Sequence, residues 1–284
     1  MLPTTGASPS SSSSIVADRP YEDIVTSPPL DWAIIWQLAR KDLLDRYAGS
    51  VLGGLWAFIQ PLLNMLVFIL VFSQLMKARL PEATGSHSYS IYLIAGLLGW
   101  IAFASTLSRA TTMFLDQAGV IGKVRVGLGV FPLAILVSDT VIYGISFGLF
   151  LIFLLLVQHP LGFWMLALPL VFALQQAFAA GLGLVLGSLS VFLRDIKEGV
   201  GVVLQLWFWL TPIVYVADIL PDRAAALLSL NPMFPVIDAY HRIVLFDRAP
   251  SLAGLMLLAA GAGLLLFVGR WLLRRLERDI RDLI

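Results

Sequence analysis

Two charged residues, Arg109 and Asp139, lie well inside long apolar runs of this sequence. An ionisable side chain in an apolar layer is costly, so it usually pairs with another charge or serves a function. Both fall roughly 6–12 Å from the same end of two consecutive runs, at 1.5 Å per helical residue. The sequence therefore predicts a structural ion pair between neighbouring helices. Two charges are too few for a proton relay.

Residue types that support other common chemistries are scarce. The chain has no cysteine, and its three histidines, His87, His159 and His241, are scattered, which argues against thiolate chemistry and against a histidine-built metal centre. Gly119 to Lys123 lacks the spacing and the Ser or Thr of a nucleotide-binding Walker A loop. We therefore expect no catalytic residue, metal or cofactor on this chain.

The composition is that of a membrane protein. Of 284 residues, 59% are hydrophobic and 13% are charged, whereas soluble domains have about 45–50% and about 25%. Because a helix needs about 20 apolar residues to cross a bilayer, six runs qualify. This predicts an all-α protein with six transmembrane helices at about 54–76, 91–113, 131–157, 161–193, 200–216 and 252–273.

The distribution of basic residues predicts the orientation. Most of the 19 Lys and Arg residues flank the ends of the runs on the side that holds both termini. Because Lys and Arg are enriched in cytoplasmic loops, both termini are expected to be cytoplasmic. Residues 1–29, rich in Ser and Pro, are predicted to be disordered, and 49–284 form the membrane domain. The net charge of +1 gives no indication of nucleic-acid binding.

Residues 30–48 are predicted to form an amphipathic helix in the cytoplasmic interface. Its tryptophans and basic residues occupy different faces, which suits either a membrane anchor or a surface for a partner protein. Segment 115–130 is predicted to be a short helix or a solvated connector. The candidate docking residues are Trp32, Trp36, Arg40, Lys41, Arg46, Asp116, Gln117, Lys123 and Arg125.

Segment 217–250, on the outer side, is apolar but interrupted by prolines. Apolar pieces at 224–230 and 236–245 are too short to span, which favours re-entrant half-helices and a gate, or a loop lying on the membrane. The candidate gate residues are Asp218, Asp222, Asn231, Pro232 and Arg242.

Aromatic residues are concentrated in the first and fifth runs. Aromatic rings stack on sugar faces without requiring one hydroxyl pattern, so they suit a conduit for a glycan; the alternative is the ordinary interfacial belt. The candidate conduit residues are Trp56, Phe68, Phe72, Trp207, Phe208, Trp209 and Tyr215.

Five short motifs occur in order along the chain: Arg46 to Trp56 followed by Pro61, Met76 to Pro81, Leu193 to Ile196, Thr211 to Tyr215, and Asn231 to Pro235 with Tyr240 to Arg242. Together they resemble the motifs of type-2 ABC exporter permeases, in particular the branch that exports O-antigen and related polysaccharides.

This resemblance implies a homodimer in the bacterial inner membrane, paired with two copies of a cytoplasmic ATPase that binds ATP and Mg²⁺. It also implies that 30–48 and 115–130 dock on that ATPase, that the first and fifth spans line the conduit, and that 217–250 closes the periplasmic side. We therefore expect export of undecaprenyl-linked polysaccharide, most simply O-antigen, from cytoplasm to periplasm.

Two other classes of function stay open. One is a type-2 permease for capsule polysaccharide, teichoic acid or a small molecule. The other is an intramembrane enzyme acting on lipid-linked sugars, which would use Asp218, Asp222 and Asp238.

Overall fold

The computed structural model describes residues 32–71, 87–122, 127–216, 221, 228 and 230–284. In this part of the chain the regular structure is helical and contains no strand, so the expected all-α class is confirmed. The helices are α1 (Trp32–Asp45), α2 (Trp56–Phe68), α3 (Ser88–Asp116), α4 (Ala118–Ile121), α5 (Val130–Leu156), α6 (Leu168–Ser190), α7 (Asp195–Trp209), α8 (Phe234–Phe246) and α9 (Leu252–Leu283).

Five segments are long and apolar enough to cross a membrane. They coincide with five of the six predicted spans and are Gly53–Val71, Ser88–Asp116, Val130–Leu156, Phe163–Ser190 and Leu252–Leu283. Short 3-10 turns at Gly53–Leu55 and Phe163–Ala167 extend the first and the fourth of them. Residues 72–76 of the first predicted span, including Phe72, lie outside the described residues.

The predicted fifth span differs from the structure. We expected it over 200–216, but α7 is a 15-residue helix that ends at Trp209. At 1.5 Å per residue it is about 22 Å long, which is short for a hydrocarbon layer of about 30 Å. The chain then turns through Thr211 to Tyr215. Pro212 explains the break, because proline lacks an N–H and disfavours helical geometry at the residue before it.

Helices α3 and α6 form the centre of the bundle. In the most apolar stretch of α3, 83% of the residues are buried, against 11% in the segment that contains α2. Glycines let α6 approach α3 closely: a Cβ on Gly183 would lie 2.3 Å from the Cβ of Ala110. Small residues at such contacts are the usual means by which membrane helices pack.

Helix α8 packs on the N-terminal half of α3. A Cβ on Gly96 would lie 2.7 Å from Nε2 of His241, and one on Gly99 would lie 2.9 Å from the Tyr240 ring. The Tyr240 hydroxyl also lies 3.0 Å from that of Tyr143 on α5. The expected half-helix at 236–245 is therefore present as a helix whose inner face belongs to the core. Most of the other one, 224–230, falls outside the described residues.

A second apolar cluster closes the opposite end of the bundle. Phe114, Ile121 and Leu128 pack there with Leu273 and Ile280, and Leu38 of α1 contacts them. The expected short helix in 115–130 is α4, four residues long. Helix α9 extends ten residues beyond the predicted 273, so its last turns complete this cluster. Helices α1, α4 and the end of α9 thus form one packed unit.

The contact at Gly183 gives a test of this packing. Gly183→Ala should lower the thermal unfolding midpoint in detergent, because the added methyl overlaps Ala110; overpacking typically costs about 1–3 kcal/mol. Gly144→Ala is the matched control, since nothing lies within 4 Å of its Cβ position. There the helix propensity of alanine should leave the midpoint equal or higher. Equal midpoints for both variants would contradict the close contact.

Candidate functional site

Four charged side chains meet where α1 crosses α3 and α5. Nη1 of Arg109 lies 2.6 Å from Oδ1 of Asp139, so the two residues expected to pair form an ion pair in the structure. Nη2 of Arg109 contacts Asp42 on α1. Nη2 of Arg46 contacts Asp139, and its Nε lies 3.4 Å from Oδ2 of Asp42. The result is a closed charge network in which each carboxylate faces both guanidinium groups.

The inner face of α1 places two members of the charge network. Asp42 and Arg46 are four residues apart and therefore share a face. The same face buries Ile35 and Ala39. We predicted that Arg46 would belong to a docking surface, but its side chain points into the bundle and is 21% exposed. The signal that could have found this arrangement is the run of Ile35, Ala39, Asp42 and Arg46 at helical spacing.

Asp139 is the most buried member, with 3% of its side chain exposed. Besides the two arginines, it accepts a hydrogen bond of 2.9 Å from the hydroxyl of Thr106. Two carboxylates and two guanidinium groups leave the network neutral. This balance is needed, because a buried charge without a partner is strongly destabilising.

The outward side of α1 has a different character. Trp32 is 65% exposed and Trp36 is 53% exposed, and Arg40 and Lys41 also face outward. Asp116 and Gln117 lie at the end of α3 and line a groove of about 90 Å³ together with Leu38. Thr112 donates a 2.6 Å hydrogen bond to Asp116. The remaining predicted docking residues, Lys123 and Arg125, lie outside the described residues.

The predicted conduit residues that the structure describes differ in how exposed they are. Trp207 is half-buried and packs edge-on against Phe103, with ring centroids 5.3 Å apart. Trp209, in contrast, is 61% exposed. Phe208 and Phe68 pack against the core, while Trp56 is exposed. The Tyr215 hydroxyl donates to the Trp209 carbonyl at 3.2 Å. Phe72, the seventh member, is not among the described residues.

Asn231 joins the C-terminal end of α7 to the start of α8 by hydrogen bonds. Its amide oxygen accepts from Nε1 of Trp207 at 2.7 Å and from the backbone N–H of Met233 at 2.9 Å. Its amide nitrogen donates to the Thr211 hydroxyl at 2.9 Å and to the Leu210 carbonyl at 3.2 Å. All four hydrogen-bonding positions of the amide are thereby used. We predicted Asn231 as a gate residue, and the sequence carried no signal for these four hydrogen bonds.

Tyrosines of α3 bind the non-helical segment after α7. The hydroxyl of Tyr92 donates to the carbonyls of Pro212 and Tyr215 at 3.2 and 2.9 Å. Tyr89 donates to the carbonyl of Val214. An unpaired carbonyl in an apolar layer costs several kcal/mol, so these hydroxyls make the break at Pro212 tolerable.

Of the other predicted gate residues, Pro232 lies beside Asn231 and Arg242 lies on α8. Pro232 follows Asn231 and is half-buried. Arg242 donates from Nε to the Ala249 carbonyl at 3.1 Å, and its Nη1 lies 3.8 Å from Asp238. Asp218 and Asp222 lie outside the described residues. Among the residues that the structure covers, no group of three acidic or histidine side chains could hold a metal.

A cavity of about 200 Å³ separates α2 from α3 and α5. Arg46, Tyr47 and Asp139 lie at one end, and Phe68 and Ile94 lie at the other. Burial raises the pKa of the Tyr47 hydroxyl, which therefore stays neutral at physiological pH.

Comparisons with known proteins match most of the chain. Residues 34–245 match the family model described as ABC-2 type transporter. An O-antigen export system permease protein, RfbA of Myxococcus xanthus, is 30% identical over 236 residues, which are 82% of this chain and 88% of the relative. RfbA of Klebsiella pneumoniae is 28% identical over 201 residues, 70% of this chain and 75% of the relative.

A third relative is named as a polysialic acid transport protein rather than as an O-antigen export permease. The polysialic acid transport protein KpsM of Escherichia coli is 20% identical over 251 residues, 84% of this chain and 92% of the relative. The family model covers far more than half of the sequence, and several helices are long and apolar enough to cross a membrane. The chain is therefore a multi-pass membrane protein that belongs to the ABC-2 type transporter family.

Proposed function

We propose that this chain is the membrane subunit of an ATP-driven exporter that moves lipid-linked polysaccharide, specifically O-antigen, from the cytoplasm to the periplasm. The observation that carries the proposal is its similarity to O-antigen export permeases, which extends over 88% of the Myxococcus protein. On this proposal the chain itself catalyses no covalent step. Movement is driven by ATP hydrolysis in a separate cytoplasmic ATPase.

The proposed topology has six passes in the bacterial inner membrane, with both termini in the cytoplasm. The fifth pass consists of α7 and the segment Thr211 to Tyr215, whose carbonyls are bound by Tyr89 and Tyr92. Helix α8, with 13 residues, is too short to cross and is assigned as a re-entrant helix near the periplasmic side. The excess of basic residues beside the termini supports this orientation.

The proposed partners are a second copy of the chain and two copies of the ATPase, which would bind ATP and Mg²⁺. The surface offered to the ATPase consists of the outward side of α1, with Trp32, Trp36, Arg40 and Lys41, and the end of α3 with Asp116 and Gln117. Lys123 and Arg125 would extend it. Because α1 and α4 share the second apolar cluster, force on either would reach both.

In this scheme the charge network transmits movement of α1 to the transmembrane helices. Asp42 lies on α1 and Arg46 directly follows that helix, whereas Arg109 and Asp139 belong to α3 and α5. If α1 moved away, Arg109 would lose its contact with Asp42 and Asp139 would lose its contact with Arg46. Because a buried charge without a partner is strongly destabilising, α1 is expected to move together with α3 and α5 rather than to slide along them.

The conduit is proposed to involve the exposed rings, Trp209 and Trp56, rather than Trp207. Trp207 is held in the core by Asn231 and Phe103, so it supports the wall without facing the glycan. On the periplasmic side, Asn231 and Pro232 would form the fixed base of the gate.

A capsule polysaccharide is the second candidate substrate, favoured by the similarity to the polysialic acid transport protein over 84% of this chain. Both candidates are long glycans on a lipid anchor, so the same conduit would serve either. The lower identity, 20% against 30%, places this candidate behind O-antigen.

The proposal is tested by purifying the chain together with its partner ATPase. ATP hydrolysis and glycan transport are then measured in lipid vesicles. The expected result is a stable complex with two copies of each chain whose ATP turnover rises with lipid-linked O-antigen. A rise with capsule glycan alone would assign the second candidate. A failure to assemble with the ATPase, or turnover that no lipid-linked glycan alters, would contradict the exporter.

The charge network predicts that coupling depends on the α1 pair. Asp42→Asn with Arg46→Met leaves the Arg109–Asp139 pair in place but disconnects α1. We expect the complex to assemble and hydrolyse ATP within about twofold of the parent, while glycan transport per ATP falls by about tenfold. Glu277→Gln with Arg281→Met is the matched control, since it removes a pair of opposite charges at the same spacing on α9, outside both the charge network and the proposed docking surface. Equal transport by both double variants would contradict the coupling role.

The closed network also predicts which charge exchange restores stability. Exchanging only Arg109 and Asp139 puts an aspartate beside Asp42 and an arginine beside Arg46. This variant should therefore unfold at a temperature close to that of the single variants. Reversing all four charges restores every attraction and should recover part of the loss, which is about 3–5 kcal/mol for a broken buried pair. Full recovery by the two-residue exchange would show that Asp42 and Arg46 do not take part.

The two tryptophans of α7 should behave differently when truncated. Trp207→Ala leaves a hole against Phe103 and removes a partner of Asn231, so stability should fall by about 3 kcal/mol. Trp209→Ala removes an exposed ring, so the unfolding temperature should hold while glycan-stimulated ATP turnover falls. Thermal unfolding and turnover measured on both variants separate the roles. Loss of turnover in Trp207→Ala alone, at unchanged stability, would reverse the assignment.

A further inference from the structure

The last turns of α9 carry arginine and aromatic side chains on the side that faces away from the bundle. Arg270, Arg274 and Arg278 follow one another at four-residue spacing, so they share one side of the helix. Phe267 and Trp271 lie on the same side, one turn closer to the middle of α9 or beside the arginines. All five side chains are exposed. Together they form the arginine face of α9.

The opposite side of α9 is fixed by packing, which determines the direction of the arginine face. A Cβ on Gly269 would lie 2.7 Å from the Cβ of Leu184 on α6. Leu273 and Ile280 are buried in the second apolar cluster. At 3.6 residues per turn these residues lie on the side of the helix opposite the arginine face. The arginine face is therefore directed outward over its whole length.

The arginine face begins where the apolar part of α9 ends. No charged residue occurs from Leu252 to Gly269, and Arg270 is the first. The headgroup layer of a bilayer is about 5–8 Å thick on each side, and four helical residues advance about 6 Å. Because helical side chains lean toward the N-terminal end of their helix, Arg274 and Arg278 reach back toward the apolar part. The arginines therefore lie at the level of lipid headgroups.

The turns nearest the apolar part of α9 carry only positive charge. Arg270 and Arg274 precede the first acidic residue of the helix, Glu277. Arg281 lies beyond it, and its Nη2 is 3.1 Å from Oε1 of Glu277. Arg270, Arg274 and Arg278, in contrast, form no ion pair with a residue that the structure describes. Three guanidinium groups on one face favour an anion with several oxygen atoms, such as a phosphate.

The aromatic residues indicate that the anion belongs to a lipid. Phe267 is exposed in the last turn of the apolar part, at the depth of acyl chains. Trp271, one turn further, has the guanidinium carbon of Arg275 5.5 Å from its ring centroid, and tryptophan is enriched at the membrane interface. A soluble protein would reach the arginines but not Phe267. A lipid contacts the apolar and the charged parts of the face together.

We propose that the arginine face binds an anionic phospholipid, of the phosphatidylglycerol type, from the leaflet at the C-terminal end of α9. The phosphate lies between Arg270 and Arg274, Arg278 adds a third positive charge, and one acyl chain lies along Phe267. A zwitterionic lipid is a poorer ligand, because its ammonium group finds no carboxylate in the first turns of the face. The site requires only that α9 crosses the bilayer, and it is separate from the surface proposed for the ATPase.

Native mass spectrometry of the purified full-length chain tests this site. Protein in nanodiscs with equal amounts of phosphatidylethanolamine, phosphatidylglycerol and undecaprenyl phosphate should retain phosphatidylglycerol in excess over the other two. Arg274→Gln with Arg278→Gln should lower that excess by about tenfold, because each basic residue at a membrane surface contributes severalfold in affinity. Arg194→Gln with Lys197→Gln is the matched control, since it removes the same charge from exposed positions at the start of α7. It should keep the excess within about twofold.

Two further measurements separate loss of the site from loss of the fold. Both glutamine variants should unfold at the parental temperature, because α9 packs through its opposite side. Arg274→Lys with Arg278→Lys keeps the charge and should keep most of the excess.

The site would be overturned by a parent protein that shows no excess of phosphatidylglycerol. Equal excess in the parent and in the α9 glutamine variant, or equal loss in the α7 control, would have the same consequence. Loss in the lysine variant as large as in the glutamine variant would overturn the role of charge. Preferential retention of undecaprenyl phosphate would overturn the assignment to a phospholipid. None of these results depends on the ATPase or on the glycan.

Discussion

The structure depends on one constraint, the need to neutralise charges that lie among apolar helices. Asp139 is nearly inaccessible, so it must be paired, and the single arginine on the neighbouring helix also binds Asp42. Arg46 supplies the remaining positive charge. Because Asp42 lies on α1 and Arg46 directly follows it, that helix is attached to the bundle by electrostatic contacts in a low-dielectric setting, where such contacts are strong. The connection between α1 and the long apolar helices follows from this pairing.

At the other end of the bundle, hydrogen bonds satisfy backbone carbonyl groups that would otherwise lie unpaired among apolar side chains. Pro212 ends α7 and leaves carbonyl groups without helical partners. Tyr89 and Tyr92 of α3 bind three of these carbonyls, and Asn231 joins the end of α7 to the start of α8. A break in a helix thereby becomes a fixed corner that is held by the most buried helix of the bundle.

Packing is uneven between these two fixed points. Helices α3 and α6 approach closely through glycine, whereas α2 is separated from its neighbours by a cavity. Helix α2 therefore has few close contacts with the centre of the bundle, and 11% of the most apolar stretch of its segment is buried. A helix of this kind changes position with less disruption than one in a close-packed core, because fewer interlocking side chains must be rearranged.

The sequence by itself determined the all-α class, the apolar segments and the pairing of Arg109 with Asp139. Each of these follows from hydrophobic run length or from the cost of a charge in an apolar layer, which are local properties. Only the tertiary structure decided that Asp42 and Arg46 join that pair, because their partners are on helices 67 and 93 residues away in the chain. The same holds for Trp207 and Trp209, which look alike in sequence; the direction of each ring depends on the packing of α7 against α3, and run length carries no information about it.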